Sequence, residues 1–329
     1  MNAYLDIVDD VLVHGRMKKN RTGIDTIALP NMHFSHNLGQ TAQSQDNATI
    51  CYNFPLLTTK RVAFKTMCVE LEGFINGITD KKWYQERGCK IWNEWANPTA
   101  QWDCDIMGGS PSPHESKDSV RKQLQRATTD LGPIYGYQWR KFGEHYGPLN
   151  EYEENAYAEL NGVPPKMYDY QTGGFDQLKY IVDTLKTNPN DRRMVCSAWN
   201  PNQQHLQALP PCHLCFVITV IDGVINLHWT QRSCDLMLGV PFNIASYGLL
   251  LCLLAAGSEL QPGNLSGMLC DCHIYENQIS TAHKQLERIP RHLPQVKITQ
   301  PDIFKWTHKD VELLNYNPYS KIDFGDVAV

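Results

Sequence analysis

ALPPCHLCFVITVIDGVINLHWTQRSCDLMLGVPFNIASY, residues 208–247, carries two strand-like runs, a turn and the start of a helix in one stretch. CFVITVI (215–221) and INLHWTQ (225–231) are β-branched and aromatic, and Asp222-Gly223 between them signals a hairpin. The segment after Pro241 predicts a long buried helix. Its apolar run from Ile244 to Ala256 contains Ser246 and Gly248 and is too short to span a bilayer, so it reads as core. Upstream, Met67, Leu71, Phe74, Ile75 and Ile78 recur at spacings of three and four, which predicts a helix with one buried face. Glu70 falls on that face, and Glu72 is expected on the opposite one. These elements predict an α/β (α+β) fold.

No solenoid period and no Gly/Ser- or Pro-rich linker divides the chain, so residues 1–329 read as one domain. Two polar stretches rich in turn formers, near 105–130 and 146–174, read as insertions. A length of 329 residues with 42% hydrophobic content suffices for a large core. The N-terminal MNAYLDIVDDVLVHG has acids where a secretory signal has bases, and no run is fit to span a membrane; the expectation is a cytoplasmic protein. Eleven cysteines without such a signal predict thiols rather than a disulfide framework. A net charge of -5 without a basic-aromatic cluster excludes a large nucleic-acid footprint, so an anionic ligand must be held by a few placed arginines.

Three segments can carry chemistry. In ALPPCHLCFVITV two prolines fix the approach to Cys212, which places it at a rigid corner before a strand. The alternatives are a small buried thiol, or a redox or metal pair Cys212/Cys215 with Cys270, Cys272 and His273 as further ligands. A redox pair of that spacing should open a helix, and this one leads into a strand. In QRSCDLMLGVPFNIASY, Arg232 and Ser233 are the side-chain types that hold a phosphate. Asn243, near the helix start, can read a pyrimidine edge with its acceptor and donors, or cap the helix. In NPNDRRMVCSAW, Arg192 and Arg193 stand side by side before a strand. They could meet one anion only from the preceding loop, and solvated surface arginines are the alternative.

In order and over nearly the whole chain, the motifs NRTG, FPLLTTKR, KIWNEWA, DLGPIYGYQWRKFG, DRRMVCSAWNP, ALPPCH, QRSCDLMLGVPFNIASY, DCHIYEN and the terminal VAV resemble the thymidylate synthase family. The resemblance implies a single domain with a mixed β-sheet flanked by helices, the sheet face forming a homodimer interface. It implies transfer of a one-carbon unit from 5,10-methylenetetrahydrofolate to C5 of dUMP, with no metal, membrane or nucleic acid required. Cys212 would be the nucleophile, Glu70 would exchange a proton at O4, Tyr135 would help remove the C5 proton, and Asn243 would hold the uracil edge. Arg21, Arg232 and Ser233 would bind the phosphate from within, and Arg192 and Arg193 would reach the phosphate held by the partner subunit. His273 and Tyr275 would bind the sugar 3'-hydroxyl.

For the folate, the resemblance implies Lys60 near its glutamate tail, Ile91, Trp92 and Leu238 against its rings, Asp235 on the pterin, Gly239 and Phe242 bordering the space, and Val329 as the closing lid. The chain departs from the pattern at ELEGFINGITD, where Gly73 stands in place of a tryptophan, and at CDCH and YENQ near the sugar pair. These departures bear on the fate of the one-carbon unit. Viral relatives of the family let water attack it and give the hydroxymethyl nucleotide with tetrahydrofolate. A silent nucleotide-binding protein is the third reading, opposed by the intact Cys212, Glu70, Tyr135 and Asn243.

Overall fold

The computed structural model describes residues 1–20, 23–95, 128–144, 146 and 174–325. Arg21, Val329 and nearly all of the two polar stretches lie outside these residues. In chain order the first elements are α1 (Asn2–His14), β1 (Arg16–Lys18), β2 (Thr26–Asn37), β3 (Thr41–Gln43), β4 (Thr49–Cys51), α2 (Phe64–Ile75) and α3 (Lys81–Glu86). Next come α4 (Tyr135–Lys141), α5 (Gln177–Thr187), β5 (Val195–Ser197), β6 (His213–Ile221), β7 (Val224–Gln231) and β8 (Cys234–Asp235). The last are α6 (Gly239–Ser258), β9 (Gln261–Tyr275), α7 (Ile279–Leu286), β10 (Gln295–Ile298) and β11 (Val311–Leu314). This is the mixed α/β class expected from the sequence.

The contacts define two compact units, residues 1–72, 181–195 and 212–329, and residues 73–180 and 196–211. The first is built on a mixed sheet in the order β1-β2-β9-β7-β6, with β8 also on β9. β6 and β7 are the expected hairpin, closed by Asp222 and Gly223 at φ 50° and 76°. Both central residues are left-handed, the mirror-image turn that matches strand twist and that Asp-Gly favours. β7 then runs parallel to β9, and α6 makes the crossover that parallel neighbours require. β2 pairs antiparallel with β9 over nearly its whole length, and α1 packs on β2.

Burial along β7 alternates strictly, with Ile225, Leu227, Trp229 and Gln231 on the inner face. α6 is longer than the apolar run suggested: its 20 residues are long and apolar enough to cross a membrane by length and composition. Within the fold 72% of its most apolar window is buried, which supports the core reading. Pro241 lies in its first turn, where an N–H has no helical partner to lose. A smaller antiparallel sheet, β11-β10-β4-β3, completes this unit.

In the second unit the Nε of Arg140 on α4 bonds both Asp176 oxygens, at 3.0 and 2.9 Å, and its other arm donates to the Ile75 carbonyl at 2.6 Å. The expectation of a single buried face on α2 is corrected: Met67 to Ile75 are buried without interruption. Glu72, expected to face outward, is buried and accepts from the backbone N–H of His308 at 2.8 Å, with the His308 Nδ1 at 2.6 Å. The glycine that follows it, Gly73, meets the ring of Tyr84, to which an added Cβ would come within 2.3 Å. Tyr84 is fully buried and donates its hydroxyl to the Ile78 carbonyl at 3.1 Å.

Candidate active site

Cys212 follows the two prolines immediately before β6, and its carbonyl accepts the Arg232 N–H at 2.8 Å, which ties the ends of the hairpin together. The ladder slips just beyond it. His213 pairs with Gln231 and Cys215 with Thr230, leaving Leu214 as an extra residue. Such bulges re-aim neighbouring side chains and gather beside active sites. Cys212 is part-exposed, whereas most of the described thiols are buried core residues. Beside it, the His213 Nδ1 lies 2.8 Å from the Tyr247 hydroxyl on α6, and burial pushes the imidazole pKa down to about 3. A neutral His213 therefore pins the residue next to Cys212 to the core helix.

Arg232 and Ser233 follow at the other end of the hairpin, both part-exposed. Between them and the core a polar relay starts at Trp229, whose Nε1 donates to the Gln231 Oε1 at 3.1 Å. Gln231 Nε2 donates in turn to the Ser233 carbonyl and to the Asn243 Oδ1, both at 3.0 Å. Asn243 sits one turn inside α6, which begins at Gly239, so it is no helix cap. The capping alternative is thereby removed.

β8 pairs with β9 so that Asp235 stands opposite His273 and Cys234 opposite Cys272. Asp235 Oδ1 accepts the N–H groups of Met237 at 3.0 Å and Leu238 at 3.1 Å. Its Oδ2 has no hydrogen bond among the described residues. Burial raises the Asp235 pKa, against the opposing pull of the Leu238 N–H, His273, the Met237 N–H and Lys60. His273 and Tyr275 are buried with their rings edge to face at 5.5 Å, and the His273 Nδ1 lies 3.0 Å from the Asp271 carbonyl.

Lys60 is buried, bonds the Met237 carbonyl and lies 4.4 Å below the Phe324 ring. Desolvation lowers its pKa to about 7, and Asp235 opposes that. To meet an anionic tail it must first leave both contacts. Leu238 and Phe242 are part-exposed around Gly239. A Cβ added at Gly239 would have only Asn243 Oδ1 and Asp235 Cβ near it, each at 3.8 Å, so a flat ring can approach the backbone between those two residues. That open cradle and the unused Asp235 oxygen fit a pterin.

Glu70 is buried, as its helix position predicted. Arg192 and Arg193 lie in the loop before β5, the placement needed for both to serve one anion; both are exposed. Arg193 grips Asp191 through Nε at 3.0 Å and a terminal nitrogen at 2.6 Å, and this contact holds the Asp191 carboxyl at about 2. In the second unit Tyr135 stacks on Phe74 at 5.0 Å, and Trp92 approaches both rings edge-on, at 6.1 Å from Tyr135 and 6.4 Å from Phe74. The buried Trp92 Nε1 has no hydrogen-bond partner among the described residues, and Ile91 beside it is exposed. Among the described residues no group of three or more His, Cys, Asp or Glu side chains could hold a metal ion.

Sequence reading did not pick out Gln231, Trp229, Phe324 or Tyr84. The signal for Gln231 was present: the period-two pattern of β7 puts this polar residue on the apolar face.

A mixed sheet thus carries a part-exposed cysteine, a tethered amide and an adjacent Arg-Ser pair. The family model described as thymidylate synthase matches residues 2–329, and the chain belongs to the thymidylate synthase family. It is 37% identical over 322 residues to the "Bifunctional dihydrofolate reductase-thymidylate synthase 2" of Arabidopsis thaliana, covering 97% of this chain and 49% of that one. The "Bifunctional dihydrofolate reductase-thymidylate synthase" of Paramecium tetraurelia is 37% identical over 98% of this chain and 60% of its own length. The chain thus spans about half the length of such bifunctional relatives. The "Thymidylate synthase" of Mycoplasma genitalium is 36% identical over 100% of both chains.

Proposed function

We propose that this chain transfers the one-carbon unit of 5,10-methylenetetrahydrofolate to C5 of dUMP, giving dTMP and dihydrofolate. The observation that carries the reading is the cluster in the first unit, where the corner thiol of Cys212, the tethered amide of Asn243, and Asp235 beside His273 are joined through the β6–β7 and β8–β9 pairings. The full-length likeness to the Mycoplasma protein supports it.

C5 of a pyrimidine is a poor nucleophile until a thiolate adds at C6, which splits one hard step into two. Cys212 is the residue for that addition, and the arginine charge that binds the phosphate favours its thiolate. The negative charge then generated on O4 is met by the Asn243 amide, and Glu70 supplies the proton exchange there. Tyr135 is the residue for removing the C5 proton. Arg21, Arg232 and Ser233 hold the phosphate, with Arg192 and Arg193 of the second subunit of a homodimer, and His273 and Tyr275 hold the sugar hydroxyl. When bound, the folate supplies the methylene carbon and the hydride. Asp235, Leu238, Gly239 and Phe242 with Ile91, Trp92, Lys60 and Val329 are the residues assigned to hold and cover it. We keep residues 1–329 as one catalytic domain and place it in the cytoplasm.

Hydroxymethylation requires water to reach the activated carbon. The ring of Tyr84 stands against Gly73, where the tryptophan of the family pattern is missing, which counts against that outcome. The test is product analysis of the purified chain with dUMP and the folate: dihydrofolate absorbance and a product with the mass of dTMP are expected. Steady turnover with no absorbance change and a product one oxygen heavier would establish the hydroxymethylase instead.

A further inference from the structure

We propose that Trp229 is a specificity-determining positioning residue: through Gln231 its indole N–H holds the Asn243 amide in the one orientation that reads uracil. The inference rests on the dUMP reading above. Amide oxygen and nitrogen can usually exchange places, and the surrounding network decides between them. Here both anchors of the network have fixed roles. An indole N–H only donates, and a backbone carbonyl only accepts. With Trp229 donating at 3.1 Å and the Ser233 carbonyl accepting at 3.0 Å, Gln231 must turn its oxygen inward to the indole and its nitrogen toward Ser233 and Asn243.

Asn243 Oδ1 thus takes one N–H from Gln231 and keeps a second lone pair, while Nδ2 has no hydrogen-bond partner among the described residues. That pair of groups matches the N3–H donor and O4 acceptor of uracil. Cytosine offers an acceptor at N3 and a donor at N4, so it asks the Asn243 amide to turn over. Nδ2 would then face Gln231 Nε2, donor against donor. Turning Gln231 as well would set its nitrogen against the indole N–H and its oxygen against the Ser233 carbonyl. The relay therefore resists the flip from its buried end.

The indole can hold that end because its strand partner is Gly267. A Cβ there would fall 2.5 Å from the ring. Trp229 is fully buried, stacks on Tyr247 at 5.4 Å and 17°, and meets Phe34 at 5.7 Å, so water does not replace its N–H.

Trp229→Phe keeps a ring in this slot and removes only the donor end of the relay. Dissociation constants for dUMP and dCMP, measured by calorimetry on the full chain, and kcat/KM for each nucleotide give the preference ratio. We expect the preference for dUMP to fall about tenfold, the size set by freeing one buried hydrogen-bonding group. A packing role alone would weaken both nucleotides alike and leave the ratio unchanged. The double variant Trp229→Phe/Gln231→Leu removes the amide oxygen that the single variant leaves without a donor, and the same loss is expected there if the single variant fails to fold. An unchanged ratio in a folded variant overturns the inference. Absence of dUMP binding by the unsubstituted protein overturns the substrate reading instead.

Discussion

Gly73 and Tyr84 are expected to behave as one packing unit, and a double-mutant cycle can measure it. Tyr84 is fully buried, so Tyr84→Ala should cost about 3–5 kcal/mol, as other large aromatic truncations in cores do. Gly73→Ala brings a Cβ to within 2.3 Å of the Tyr84 ring, and overpacking of that kind costs about 1–3 kcal/mol. The same change within α2 gains about 1 kcal/mol of helix propensity, which the clash outweighs in the native background. With Tyr84 already truncated, the clash is gone and only the gain remains, so Gly73→Ala should then stabilise. The expected coupling is on the order of 2 kcal/mol. Urea unfolding of the four proteins, followed by fluorescence with a shared m-value, gives each free energy. If Gly73→Ala costs the same with and without the Tyr84 ring, the ring does not fill the space above the glycine, and the argument against water entry falls with it.

Cys212→Ala should abolish turnover while dUMP binding survives. Fluorinated deoxyuridylate with the folate should label Cys212 by mass spectrometry, and a label on Cys215 would refute the assignment. Arg192→Ala should be inactive alone but regain part of its activity after subunit exchange with Cys212→Ala; no recovery after proven exchange would exclude a shared site. His213 has a depressed pKa when folded, so its contribution to stability is full above its unfolded pKa and is lost as pH falls from about 6.5 toward about 3, at up to about 1.4 kcal/mol per pH unit. His213→Gln should flatten that slope in acid denaturation curves; an unchanged slope would mean that other groups cause it.

The hairpin was legible because Asp222-Gly223 and the flanking β-branched runs are local signals, and the turn they specify is the one observed. The corner at Cys212 was legible for the same reason, since two prolines act on their immediate neighbours. The length of α6 was underread because its first turn, Gly239 to Phe242, contains a glycine and a proline, while the Asp235 carboxylate that holds the Leu238 N–H ahead of it gives no periodic signal. Glu72 was misplaced because a helical period assumes one apolar neighbour, whereas α2 is enclosed and its outer carboxylate finds His308, 236 residues away. Tyr84 escaped notice because the loss at Gly73 and its compensation lie on different elements. Only folding brings them together.

The pairing of β2 with β9 sets a schedule for the making of this protein. Tyr4 on α1 donates its hydroxyl to the Leu236 carbonyl, 232 residues later, and Thr26 on β2 pairs with Tyr275. At a synthesis rate of roughly 5–20 residues per second, the first helix and the longest N-terminal strand leave the ribosome roughly ten seconds or more before their partners exist. During that interval β2 offers an open row of N–H and C=O groups, the template on which strands of other chains add. Its inward Phe34 waits as well for Trp229. A ribosome stalled before β9 would therefore release a fragment that associates with itself, whereas one stalled after Tyr275 would release a chain whose central sheet can already close.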